Sequence, residues 1–229
     1  KPFLKTSDGN SIIDNIINNF PKKTHLIIIG NRKKFNTIKK GIKKKNTTFI
    51  KVKNHNSGPV FSLFLAKDKI SKIIKNGEFF ISYSDINWNW NFNKVRKFIA
   101  NKKITIFSHI GFHPHLEVDS SSDFFTINKK KKVNKVSEKK LIKKDYKKNN
   151  LAIGCYYFKQ FEIFEKFFKS NDFKENIKKK EIYIINLLNY CLKKKLEINF
   201  YNLNNFVHLG LPSQFEDFID WKKIIVNQF

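Results

Sequence analysis

A few short stretches of the chain carry side chains able to bind or neutralise charge. The first is Phe79-Phe80-Ile81-Ser82-Tyr83-Ser84-Asp85-Ile86-Asn87-Trp88. A run of β-formers ends in a small polar residue and a carboxylate. That is the pattern of a buried strand of a parallel sheet releasing Asp85 at its carboxyl edge. In open α/β sheets ligands bind at that edge. A carboxylate there suits a hard divalent cation, which most often serves a substrate phosphate. The plainer alternative is that Asp85 caps the segment that follows. A second stretch, Ser57-Gly58-Pro59, falls between a strand and a helix. Its glycine either lets backbone approach a flat ligand or a phosphate, or simply makes a tight turn. In the third, Ser137-Glu138-Lys139, an acid and a base end a strand. The carboxylate can accept from sugar hydroxyls while the ammonium meets a phosphate. Surface charge is the alternative, because Lys140, Lys143 and Lys144 follow.

Other stretches are less telling. His109, His113 and His115 match no helical ligand pair and have no cysteine nearby, so they read as loop or cleft histidines before they read as a zinc site. Asn87 to Asn91 alternates polar and aromatic residues, which either wall a ligand or, the favoured reading, anchor the next helix in the core. No Gly-x-Ser-x-Gly elbow, Walker A loop or His-Glu-x-x-His motif is present.

The elements that must position these residues follow from periodicity. Ser11 caps a helix through Asn19, with Ile12, Ile13, Ile16 and Ile17 at helical spacing, and Pro21 ends it. His25 to Ile29 reads as a buried strand closed by Gly30, Phe35 to Lys45 as a lysine-rich helix, and Thr47 to Val52 as a strand. Val60 to Ile74 and Phe92 to Ala100 read as helices, with a strand at Ile104 to Ser108. This alternation predicts a parallel sheet with right-handed crossovers. The second half changes character. Asp123 to Asn128 and Val133 to Ser137 read as paired strands around a solvated turn, and Leu151 to Phe158 as a strand. Helices are expected at Glu162 to Ser170 and Glu181 to Leu196, then a strand at Ile198 to Tyr201, a turn at Val207 to Pro212 and a last helix at Phe215 to Val226. With no linker or repeat, the chain reads as one domain over 1–229.

Composition bounds the rest. The 229 residues are 41% hydrophobic, enough for a substantial core. The net charge of +27 would attract polyanions, but it is almost all lysine, scattered along the chain, and only Arg32 and Arg96 are arginines. Lysine here accompanies abundant asparagine, isoleucine and phenylalanine, a set explained by A/T-rich codons. No specific nucleic-acid partner is therefore expected, although a basic nucleic-acid-binding protein is the outlying alternative. Cys155 and Cys191 read as reduced core thiols of a cytoplasmic protein. No stretch approaches the roughly 18 apolar residues of a membrane span.

Taken in order, these pieces resemble the sugar-phosphate nucleotidyltransferases, or nucleoside-diphosphate-sugar pyrophosphorylases, and most closely the bacterial branch serving capsule and lipopolysaccharide. The resemblance runs from Lys1 to about Trp221. It implies an α/β, Rossmann-like three-layer domain with a mostly parallel mixed sheet and a small sugar-binding sub-lobe. The nucleotide-binding part would span about 1–108 and the sugar-binding part about 109–229. Lys1-Pro2-Phe3-Leu4 is similar to the end of the amino-terminal signature whose lysine meets phosphate, and Asp8 to Ile13 to the stretch after it. Ser57, Gly58 and Pro59 match the loop on the nucleotide base, and Asp85 the magnesium-binding acid. Glu138 and Lys139 match a Glu-Lys pair on sugar and phosphate. Gly154 matches a glycine lying against the sugar, and Glu181 a sugar-contacting glutamate opening a late helix. Val207 to Pro212 matches a turn usually written Asp-x-Gly-Thr-Pro, so His208 stands where a second metal-binding aspartate often lies. The family's glycine-rich loop with its arginine would precede Lys1. The implied partners are a nucleoside triphosphate and a sugar-1-phosphate, with Mg2+ and a homo-oligomeric assembly. A non-catalytic sugar- or nucleotide-binding relative is the alternative.

Overall fold

The computed structural model describes residues 2–6, 9–33, 35–75, 77–111, 122–145, 148–179 and 181–227. Lys1, Asp8, His113 and His115 lie outside the described residues.

The first half runs α1 (Ile12–Asn18), β1 (Leu26–Asn31), α2 (Phe35–Gly41), β2 (Thr47–Val52), α3 (Pro59–Ile74), β3 (Phe79–Ser82), β4 (Ile86–Asn89), α4 (Phe92–Ile99) and β5 (Ile104–Ile110). The second runs β6 (Asp123–Ile127), β7 (Val133–Ser137), β8 (Asn150–Phe158), α5 (Glu162–Lys169), α6 (Asn171–Lys179), α7 (Ile184–Lys193), β9 (Asn199–Asn202), β10 (Asn205–His208) and α8 (Pro212–Asn227). Local chemistry accounts for several starts. Ser11 and Asp14 form a reciprocal capping box at α1, and Asn91 caps α4 through the Lys94 amide. Pro59 occupies the first turn of α3, where its missing N–H costs nothing.

The fully buried β8 is the spine of a six-stranded sheet. β5 runs antiparallel along one of its edges. Two strands share the other edge: β6 pairs with Asn150 to Ala152, and β3 with Cys155 to Phe158. β9 lies parallel outside β5, and β7 antiparallel outside β6. These pairings make β3, β5, β6 and β9 run one way and β7 and β8 the other, a mixed sheet mostly parallel in strand direction. The alternation of β8 splits two cores across the sheet. Leu151, Ile153, Cys155 and Tyr157 pack with α1 and α4, whereas Ala152, Tyr156 and Phe158 pack with α3, α5 and α7. The result is a three-layer α/β fold.

A parallel pair, β1 and β2, stands apart from that sheet. Between β1 and β3 lies a cavity of about 920 Å³, lined by Leu26 to Ile29 on one side and Phe79 to Ser82 on the other. It reaches Pro59, Asp85 and Tyr183.

Several expectations are corrected. β3 pairs antiparallel with β8, not with a parallel neighbour, because β8 intervenes between it and β5. A run of β-formers reports burial; it does not report the direction of the next strand. Gly30 lies within β1 and does not close it, and the helix expected to reach Lys45 ends at Gly41. Ile86 to Asn89 is a strand, paired antiparallel with Asn205 to His208, so the expected turn at Val207 begins as β10. α6 was not expected. α7 starts at Ile184, where the Asn186 side chain accepts from the Tyr183 amide, so Glu181 precedes the helix instead of opening it. The favoured reading of Asn87 to Asn91 holds: Trp88 is buried, and Trp90 donates to the Asn19 carbonyl at 2.7 Å. Cys155 and Cys191 are free and buried, and burial pushes the Cys191 thiol up to about 12. No helix among the described residues is long and apolar enough to cross a membrane.

Candidate functional site

Asp85 leaves the end of β3 at a fork in the sheet. β8 pairs with β6 before Gly154 and with β3 after it, and the Tyr83 amide donates to the Gly154 carbonyl at 3.0 Å. Gly154 has φ +86°, and a Cβ there would stand 2.8 Å from Cδ2 of the Tyr83 ring. Glycine is required for this close approach. The fork sends the chain outward at Ser84 and Asp85, into the cavity lining. The Asp85 carbonyl then accepts from the Leu209 amide at 2.8 Å, which docks the segment after β10 against it.

That dock brings His208 beside Asp85. A Cβ on Gly210 would stand 3.0 Å from His208 Nε2 and 3.3 Å from Asp85 Oδ2. The two donors therefore border one small space that exists because residue 210 is glycine. His208 is oriented from behind. The Leu211 N–H donates to Gln214 Oε1 at 3.0 Å, which fixes that amide end as oxygen, and His208 Nδ1 lies 2.8 Å from the same oxygen. Nδ1 must therefore carry a hydrogen, leaving the lone pair of the neutral ring on Nε2. Among the described residues no cluster of three or more His, Cys, Asp or Glu side chains could hold a metal. Asp85 and His208 fit a cation whose remaining ligands come from phosphates and water.

A second group of side chains gathers around Tyr183, which lines the same cavity as Asp85. Glu138 accepts from the Asn186 side chain at 2.8 Å. Lys139 has φ +50°, uncommon for a side-chain-bearing residue. The bend lets its N–H donate to the buried Asp123 carboxylate at 3.3 Å. Its ammonium donates to the Tyr183 hydroxyl at 3.2 Å and sits 4.5 Å from that ring's centroid. The Tyr183 hydroxyl in turn donates to Glu181. Burial lowers the Lys139 pKa, but the Tyr183 hydroxyl and the charges of Glu181 and Glu138 outweigh it and leave the ammonium above its ordinary value. Tyr83, where β3 leaves the fork, accepts from the Ile184 amide at 3.3 Å and links this wall to Asp85. Burial first, and then the Asp123 charge, push its phenol well above the ordinary range.

The Ser57-Gly58-Pro59 loop closes the third side. The Ile182 N–H donates to the Ser57 carbonyl at 2.9 Å, and the Val60 N–H donates to the Ile182 carbonyl at 3.1 Å. Gly58 has φ +81°, and a Cβ there would lie 2.7 Å from the Ile182 backbone and 3.1 Å from Glu181 Cβ. His55 stiffens the loop: its Nδ1 accepts from the Ser57 amide at 3.2 Å, and its Nε2–H donates to the Ser62 hydroxyl at 2.9 Å.

Asp85, Pro59 and Tyr183 thus line one cavity, and Glu138, Lys139, Gly154, Glu181, His208 and the rest of the Ser57-to-Pro59 loop are linked to that lining through Asn186, Tyr183, Tyr83, Ile182 and Leu209. His109 has a different setting, its Nδ1–H donating to the Leu203 carbonyl at 3.2 Å. Residues not singled out from the sequence also belong here: Tyr83, Asp123, Tyr183, Asn186 and Gln214. Tyr183 and Asn186 carried a usable signal, since they flank Glu181 at the mouth of a helix. Asp123 and Gln214 gave none, because only the fold brings them near.

No protein-family model matches the chain, and no curated sequence does. Solved structures do. A nucleoside-diphosphate-sugar pyrophosphorylase from Vibrio cholerae superposes with a TM-score of 0.73 at 15% identity, over 96% of this chain and 91% of the other. A UDP-glucose pyrophosphorylase complexed with UDP-glucose gives 0.72 at 15% identity, over 100% and 91%. The inositol-1-phosphate CTP transferase from T. maritima gives 0.66 at 14% identity, over 93% and 82%. The chain has the nucleotidyltransferase fold that these enzymes share.

Proposed function

We propose that the chain joins a sugar-1-phosphate to a nucleoside triphosphate, giving an NDP-sugar and pyrophosphate for surface polysaccharide synthesis. One observation carries this reading: Asp85, Pro59 and Tyr183, far apart in sequence, line one cavity, and Lys139 and Glu181 meet at the Tyr183 hydroxyl. The fold shared with a UDP-glucose pyrophosphorylase supports it.

In this reading a phosphate oxygen of the sugar-1-phosphate attacks the α-phosphorus, and the bond to the bridging oxygen breaks to release pyrophosphate. Catalysis is positioning and charge neutralisation, with no covalent intermediate on the chain. Lys139 orients the sugar phosphate. Glu138 and Glu181 accept from sugar hydroxyls, and the sugar lies along Gly154. Ser57, Gly58 and Pro59 border the nucleotide base. Asp85, with His208 beside it, would hold a divalent cation, magnesium by the family resemblance, which supplies positive charge to the phosphates. Lys1 adds charge to the polyphosphate. The nucleotide side is the part to about residue 108 and the sugar side the part from about 109. Cytoplasmic location and self-association complete the proposal.

The test is pyrophosphate release from a panel of nucleoside triphosphates and sugar-1-phosphates, beside saturation-transfer NMR of the sugar phosphates alone. Turnover lost on Asp85→Asn is the expected result. Binding without turnover would identify a non-catalytic relative, and no sugar-phosphate binding at all would refute both.

A further inference from the structure

We propose that the cation site at Asp85 takes a first-row transition dication, Mn2+ in preference to Mg2+, because His208 is built into it as a nitrogen ligand. The proposal rests on the reading that Asp85 holds the cation of the transferase reaction, and adds which ion this chain selects.

Three observations converge. His208 Cε1 and Nε2, at 2.7 and 3.0 Å, and Asp85 Oδ2, at 3.3 Å, all lie beside the point that a Cβ on Gly210 would fill. Any side chain at 210 would occupy that space. The Nε2 lone pair is also set in advance. Gln214 is 3% exposed, and the Leu211 N–H holds its oxygen toward Nδ1, so in the neutral ring the lone pair falls on Nε2, beside the shared space. A ligating imidazole is characteristically held this way, with its other N–H given to an acceptor that fixes tautomer and orientation. Finally, the donor set is mixed. Carboxylate oxygen alone suits Mg2+, which demands oxygen ligands and parts with water reluctantly. Imidazole nitrogen shifts the balance toward first-row transition ions. A structural role for His208 would be satisfied by the Nδ1–Gln214 bond; it would not require Nε2 and an Asp85 oxygen to border the same space over a glycine.

The experiment uses the chain with Mn2+ alone, without nucleotide or sugar. Pulsed electron paramagnetic resonance of bound Mn2+ is expected to show nitrogen modulation from a coordinated imidazole. His208→Ala is expected to lose that modulation and to bind Mn2+ at least about tenfold more weakly, and Gln214→Leu to weaken Mn2+ binding by about tenfold through the freed ring. His208→Asp is expected to turn the preference, measured by competition, toward Mg2+. Absence of nitrogen modulation in the unaltered chain, or equal Mn2+ affinity in folded His208→Ala, overturns the proposal. If His208→Ala does not fold, the spectrum of the unaltered chain decides alone. Nitrogen-coupled Mn2+ in a chain that turns over no sugar phosphate would sink the transferase reading and keep the metal site.

Discussion

The two walls of the cleft are built on different principles. On the Tyr183 wall the polar side chains are part of the scaffold. Glu138 is held by Asn186, Lys139 by Asp123 and Tyr183, and Glu181 by Tyr183. On the opposite wall the backbone is pinned, Asp85 carbonyl to Leu209 amide, while no described residue donates a hydrogen bond to the Asp85 carboxylate. The first wall is preorganised and keeps its shape without ligand. The second leaves acceptor capacity toward the cleft, which suits a group that arrives with a cation. Substitutions should therefore behave differently on the two sides: around Tyr183 they should touch both binding and stability, and at Asp85 chemistry almost alone.

The largest test of that contrast is Asp85→Asn. Pyrophosphate release should fall by about 10²-fold or more, the scale of one lost electrostatic contact in a transition state. The thermal midpoint should stay within a degree or two, because the backbone bond to Leu209 survives. A large drop in melting temperature would show that Asp85 is a structural cap and erase the contrast. Next comes Gly58→Ala. The backbone sits in a region open in practice only to glycine, costing about 1–3 kcal/mol, and the new methyl meets the Ile182 backbone. A fall in Tm of about 4–10 °C is expected by differential scanning fluorimetry. Sugar-phosphate binding should weaken with it, since Glu181 precedes Ile182. Glu138→Gln keeps an oxygen for Asn186 but loses the charge. It should raise KM for the sugar phosphate about ten- to a hundredfold, with kcat less affected, in line with about 1.5–3 kcal/mol for a charged hydrogen bond. Tyr183→Phe keeps the ring under Lys139 and removes the hydroxyl that bridges it to Glu181. A three- to tenfold rise in KM is expected, from roughly 0.5–1.5 kcal/mol.

Particular residues show what the sequence made legible. Asp85 could be found because a run of β-formers stops at a carboxylate, and that signal is local. Gly58 could be found as a glycine between a strand and a helix, and Gly154 through the family resemblance, but their reason, contact with Ile182 and Tyr83, is a tertiary fact. The sheet was legible as α/β alternation, but the reversal of β8 was not, since hydrophobic runs look the same in both directions. β4 and β10 were missed because each is four residues long and gains its identity from the other. Gln214 was invisible for a related reason: its partner His208 lies on a strand and it lies on a helix, and only the turn between them, where the Leu211 amide holds the Gln214 oxygen, sets that distance.

The smallest expected effect separates the walls by pH. Burial, and then the charge of Lys53, hold the His55 pKa below its ordinary value. The neutral ring is also what the loop needs, because Nδ1 accepts from the Ser57 amide. The unfolded chain takes up that proton near the usual pH of about 6.5, while the folded chain resists until lower pH. Between those points the unfolded state binds more protons. Stability from His55 is thus fully present above about 6.5 and is lost as pH falls through the folded value. The loss should be local. As pH falls from 7 to 5, hydrogen-exchange protection should decline at Val60 and Ile182, whose amides tie the Gly58 loop to the segment before α7. It should hold at Leu209, which ties down Asp85. His55→Asn should flatten the first trend and leave the second unchanged. Parallel loss at all three amides would mean that the two walls open together, as one cooperative unit.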